Sequence, residues 1–206
     1  AVTSSSGISL NDNTGSAYII FAENNSVNIT GIINGASAGE GTIQVTGATK
    51  TFVNIIGGTQ ALTLINIDNT SVFNEAISVT NINIADSVTT TAKKAITATA
   101  IVLDGGTLEV STTNSATIAG TINGNDTTEG VLHVSGANKT FSGDIGTSQV
   151  LTEIDIDGAT VFNGTIKTTT LDTASAEYDL EINGAANEIT NAVTFNNTGA
   201  LTLGNG

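Results

Sequence analysis

Residues 26 to 77 recur as residues 115 to 166 without a gap, at an offset of 89, and 26 of the 52 positions are identical. The stretches "EGTIQVTGATKTFVNII" (40 to 56) and "EGVLHVSGANKTFSGDI" (129 to 145) show what is kept: Glu-Gly, Lys-Thr-Phe, and apolar residues at alternate places. Fixed-spacing self-similarity is the signature of a chain built from one supersecondary unit whose apolar face only a neighbouring unit can cover. The reading is one solenoid over 1–206 with internal repeats 12–100 and 101–206. The copies diverge after Ile77 and Ile166, and "ALTL" (200 to 203) falls into the place of "TLEV" (107 to 110), where a third copy would begin.

A shorter period lies inside each copy. Alternating strand cores recur at Leu108-Glu109-Val110, Leu132-His133-Val134, Ile154-Asp155-Ile156, Leu180-Glu181-Ile182 and Leu201-Thr202-Leu203, in steps of 24, 22, 26 and 21 residues. Between them run "ATIAGTI", "KTFSGDI" and "ATVFNGTI", and the joints are Gly and Asn turns such as "SGAN" and "DGAT". A period in the low twenties without helix signals gives an all-β chain, a parallel β-helix or solenoid carrying the 89-residue duplication. Stacking at about 4.8 Å would bring Leu108, Leu132, Ile154, Leu180 and Leu201 into one internal ladder. Phe52 with Phe73, and Phe141 with Phe162, are expected to cap corners of that column. The alternative is two tandem β-sandwich domains of about 90 residues each, which the composition also allows.

Composition narrows the chemistry. Aromatic residues make up 4% of the chain, and Cys, Pro, Met and Trp are absent. Disulfides, thiolate catalysis and thiolate metal sites are therefore excluded. The formal charge is −14, and the five positive residues are Lys50, Lys93, Lys94, Lys139 and Lys167, with no Arg. Nucleic acid is a poor partner for such a surface, because phosphate neutralisation needs a basic face. No apolar run approaches the roughly 20 residues that span a bilayer, so no membrane insertion is expected.

The outward residues between the apolar pairs should form a line, Glu109, His133, Asp155, Glu181 and Thr202. Its counterparts in the first copy are Ile20, Gln44 and Asn66. Such a line reads either as a solvated polar face or as a row of carboxylates that binds a divalent cation or raises the pKa of the one histidine. "TEIDIDG" (152 to 158) places Glu153, Asp155 and Asp157 on one strand face, a ligand set suited to calcium. The first copy reads "TLINIDN" there and keeps only Asp68. Acidic clusters on β-helices resemble the calcium-dependent sites of polysaccharide lyases, which also need a basic residue that this stretch lacks. No catalytic residues and no cofactor other than calcium are expected, and the reading is non-enzymatic.

The words "GVLHVSGANKTFSGDIG", "GATVFNGTI" and "FNNTGALTLGNG" resemble the repeat region of bacterial surface proteins of the autotransporter passenger type, with the flavour of rickettsial surface antigens. The resemblance implies a secreted right-handed β-helix at the cell surface or outside the cell, serving as adhesin, stalk or surface layer. The chain departs from a whole autotransporter in carrying no membrane barrel and no passenger-terminal aromatic cap, which points to a fragment or a small subunit. Uncapped coil edges pair with other chains unless Pro, charge or a cap blocks them. The expected function is an extracellular structural protein, a homo-oligomer or polymer that self-associates through solenoid ends or strand donation into a filament or surface layer. The alternative is an adhesin passenger fragment binding a host or neighbouring-cell ligand.

Overall fold

Alternations such as Thr-Ile-Gln-Val (42–45) and Val-Leu-His-Val (131–134) form strands that bury every second side chain. The computed structural model describes residues 2–11, 17–111 and 114–204. Among the described residues strand accounts for 49%, no helix is present, and the strands stack as a β-solenoid of about nine turns. Among the described residues no helix is long and apolar enough to cross a membrane. Every strand pairing among the described residues is parallel, which excludes two antiparallel sandwiches.

Each coil has three faces. Face I carries Tyr18–Phe21, Thr42–Val45, Leu62–Ile67 and the second halves of Ile77–Ile84, Ile96–Leu103 and Ala116–Gly124. Face II runs from Val27–Ile29 through Lys50–Phe52, Ser71–Phe73, Thr89–Ala92, Thr107–Val110, Val131–Val134, Leu151–Ile156 and Lys167–Thr173 to Glu188–Ile189. Face III starts at Ile8–Leu10 and Ile33–Gly35, takes the first halves of the three long strands, and ends with Lys139–Phe141, Thr160–Phe162, Leu180–Ile182 and Leu201–Leu203. The long strands turn the corner from face III to face I at a register break between Thr97 and Ala100. Gly120 sits at that corner with φ +110°, where a Cβ would lie 2.3 Å from the Ala98 carbonyl oxygen.

The core is a set of in-register columns. On face I, Ile19, Ile43, Ile65, Ile82, Ile101, Ile122, Ile145 and Ile166 stand one above another. On face III the column is Ile8, Ile33, Ile56, Ile77, Ile96, Ile118, Phe141, Phe162, Ile182 and Leu203. The expected aromatic pairs form: Phe52 and Phe73 stack at 4.8 Å, and Phe141 and Phe162 at 5.1 Å. Because flat β-branched side chains repeat at the strand spacing, each rung covers the one below, and one coil alone could not do this.

The expected leucine ladder is right for three rungs. Leu108, Leu132 and Ile154 stack on face II, but the next rung is Leu171, and Leu180 with Leu201 continue Thr160 on face III. The coil from Ile154 to Leu171 spans 17 residues, shorter than the twenties of the sequence period, so the following apolar alternation lands one face further on. The outward line changes in the same way: Glu109, His133 and Asp155 are followed by Asp172, whereas Glu181 and Thr202 extend Val161.

The duplication is also out of phase with the coils. Leu108 corresponds to Ile19 of face I, yet it stands on face II in the column of Val27, Lys50, Ser71 and Thr90. Leu201, at the corresponding place of the next copy, stands on face III. One repeat thus advances four coils and one face.

The words kept between copies have inward or turn roles. Glu40 accepts from the Ser37 amide at 3.0 Å and Glu129 from the Asp126 amide at 3.1 Å, closing equivalent turns. Gly41 and Gly130 follow with φ +89° and +79°, where a Cβ would strike Leu10 and Leu103. Lys50 and Lys139 are buried, 1% and 0% exposed. The Lys50 ammonium donates to the carbonyls of Glu23 (2.7 Å), Asn25 (3.3 Å) and Ala48, and that of Lys139 to Asn114 (3.0 Å) and Ala137, the same cage 89 residues on. Burial pulls both lysines below the usual value, with the Glu23 charge opposing this at Lys50.

Lys139→Ala empties a column position and strips these carbonyls of a donor, so it is expected to cost about 2–5 kcal/mol in urea unfolding. Lys139→Met restores the stem but no donor and should recover only part of the loss. A Met variant as stable as the parent would show that the ammonium contacts carry no net stability.

Candidate metal centre

His133 points outward from the middle of Val131–Val134 because Leu132 and Val134 take the inward places. Parallel pairing sets it directly against Asp155 of the next coil, with Glu109 on the coil before and Asp172 on the coil after. Asp157 follows two residues after Asp155 and so shares its side of the strand. The His133 Nε2 lies 2.9 Å from Asp157 Oδ2 and 3.6 Å from Asp155 Oδ2. One ligand atom from each of the three residues falls within 4.8 Å of the others.

Glu153 stands apart from this trio. It stacks between Val131 and Thr170, which offer no metal ligand, and its carboxylate is not among the converging atoms. The structure therefore brings together Asp155 and Asp157 of the expected calcium set and adds His133. Glu109 is engaged elsewhere, accepting from the Thr91 hydroxyl at 2.9 Å and the Ser135 hydroxyl at 2.7 Å. Beside the trio lies a shallow cleft lined by Asp157, Gly158, Tyr178 and Asp179. Tyr178 closes it from beneath, donating from its hydroxyl to the Ile156 carbonyl at 2.6 Å.

The charge of the molecule is concentrated in the second half of the chain. Residues 101–206 hold thirteen carboxylates and two lysines, a net −11 of the total −14. Burial pulls the His133 pKa down, but the hydrogen bond to Asp157 and the charges of Asp155, Asp157 and Glu109 outweigh it, and the net shift is upward. Burial raises the Asp155 carboxyl, and the Asp157 charge adds to this while His133 opposes it. Burial likewise raises Glu153, with Asp155 and Asp172 adding.

The first copy carries a less charged counterpart of the trio on face I, with amides at two places and one carboxylate, Asp68. There Gln44 Nε2 donates to Asp68 Oδ2 at 3.2 Å, and Asn83 Nδ2 donates to Asn66 Oδ1 at 2.9 Å. Ile20, Gln44 and Asn66 do stack in the expected line, which continues through Asn83. The diagonal contact of His133 with Asp157 is the part that rung-by-rung sequence reading misses, although its spacing of 24 residues matches Gln44 with Asp68. The buried lysines were also missed as a structural pair, and their signal was the identical Lys-Thr-Phe in a chain with five positive residues. Compared with family models, with curated proteins and with solved structures, the chain matches none of them.

The three shifts act on stability in one direction. The raised His133 pKa stabilises the fold fully below the ordinary 6.5, and that contribution fades as pH rises through the folded-state value. The raised Asp155 and Glu153 values penalise the charged folded state, and the penalty eases as pH falls toward them. In chelator-treated protein, the urea midpoint is expected to rise between pH 8 and pH 5.5, and H133Q should flatten that slope. A midpoint that falls over this range in the parent chain would contradict the assignment.

Proposed function

We propose that this chain is a non-enzymatic extracellular or cell-surface scaffold, a solenoid that self-associates through its coil edges into a filament or surface layer. The observation that carries this is the face III column, apolar on every rung from Ile8 to Leu203. On its last strand the inward-facing Leu201 and Leu203, stacked on Leu180 and Ile182, stay 39% and 61% exposed. A parallel edge of this kind carries unpaired backbone groups that another strand can satisfy. The best-matched occupant is a coil of a second copy, because every coil of the chain already pairs in parallel with another coil of its own kind. The resemblance to autotransporter passengers and rickettsial surface antigens fits this reading.

A second reading, an adhesin passenger segment that holds a host or neighbouring-cell ligand on one lateral face, draws support from the uneven charge. The −11 of residues 101–206 gives one end of the rod a surface chemically unlike the other.

Electron microscopy and sedimentation of the purified chain separate the two. Regular polymers are expected, and L201E/L203E should abolish them while leaving the β-rich circular dichroism spectrum unchanged. Strictly monomeric rods at high concentration would sink the self-association reading.

A further inference from the structure

We infer that His133, Asp155 and Asp157 form a binding site for one divalent d-block cation of the zinc type, which ties two adjacent coils of face II together. The first support is the ligand spacing. Bonds of about 2.0–2.1 Å to nitrogen and oxygen at a tetrahedral centre place ligand atoms about 3.4 Å apart. The separations of 2.9 and 3.6 Å from Nε2 to the two carboxylates bracket that figure. The imidazole nitrogen thus stands within about 0.5 Å of the required separation from both carboxylates, and an open cleft lies beside Asp157.

The second support is the donor chemistry. An imidazole nitrogen with two carboxylates suits zinc and its neighbours, whereas calcium takes oxygen ligands only. Glu153, the third oxygen donor of the expected calcium set, lies outside the converging atoms, since the register sets it between Val131 and Thr170.

The third support is the comparison within the molecule. In the first copy the equivalent places hold Gln44, Asn66 and Asp68, where Gln44 donates to Asp68 and Asn83 to Asn66, with one carboxylate in place of two. The fold therefore needs no carboxylate at position 155 and no imidazole at 133. In the second copy Asp155 faces Asp172 on the next rung, and the two carboxylates repel at the strand spacing. Among the described residues the lysine ion pair found is Lys167 with Glu188 at 3.4 Å, so lysine does not offset the charge of the trio. A divalent ion would offset it and would replace the imidazole's contact with Asp157 by coordination of both.

The ion would bridge coils, since His133 lies on one and both aspartates on the next. Binding confined to the folded state raises stability by mass action.

The test uses the full chain with zinc and with cobalt as a visible probe, by calorimetry and absorption spectroscopy. One ion per chain is expected, with the intense visible bands of low-coordinate cobalt and a raised urea midpoint. H133Q/D155N writes the first copy's own residues into the second, a set this fold already accommodates, and should weaken binding by more than the about 10- to 100-fold that losing an outer partner costs. The reciprocal Q44H/N66D, with Asp68 in place, should create a second site on face I and bring the stoichiometry to two. Zinc binding equal in the parent chain and H133Q/D155N would overturn the inference. So would saturation by calcium at a single site that H133Q leaves untouched.

Discussion

Everything in this molecule depends on parallel strands stacking at about 4.8 Å with their inward side chains in register. The strands are two to nine residues long, and none could hold its shape alone. What stabilises them is the column: eight isoleucines on face I, and ten apolar rungs on face III. A polar residue can enter a column only if it brings its own partners. Lys50 and Lys139 do so by burying their stems and donating to turn carbonyls, and Ser71 does so by donating to the Asn69 carbonyl at 3.1 Å.

That dependence explains which parts of the sequence were readable. Inward positions obey the column, so the alternation at Leu108, Leu132 and Ile154 and the phenylalanine pairs could be placed from the chain alone. Which rung follows which depends on coil length, and coil length is set by turns that the column does not constrain. The 17-residue coil before Leu171 breaks the period, which is why Leu180 and Glu181 stand on face III and not on the face that the alternation alone predicts. The candidate site was half readable on the same grounds. Asp155 and Asp157 are neighbours on one strand, so their pairing is local. Their meeting with His133 needs the cross-coil register as well as a diagonal step along the strand.

The third-of-a-turn advance of the repeat has a consequence for the surface. Had the repeat covered whole coils, the line Ile20, Gln44, Asn66 would continue directly into Glu109, His133, Asp155 on the same face. Instead the neutral line runs along face I and the charged line along face II, above Val72 and Thr91. The duplicated unit can therefore vary one outward line without placing its carboxylates directly above those of its twin. Like charges at adjacent rungs are then confined to one copy, as with Asp155 and Asp172.

The two copies agree and disagree along a physical boundary. Lys50 and Lys139, Gly41 and Gly130, and Glu40 and Glu129 are held by contacts that any substitution would break, because a carbonyl cage, a left-handed turn and a buttressed amide each admit few residues. His133 and Asp155 stand where Gln44 and Asn66 also serve, so the stack places no demand on them. A residue that the scaffold does not require, that is charged, and that converges with two others on one point in space has its explanation outside the scaffold. In a solenoid the inward residues report how the coils stack, and chemistry directed at another molecule has to be sought at outward positions where equivalent coils differ.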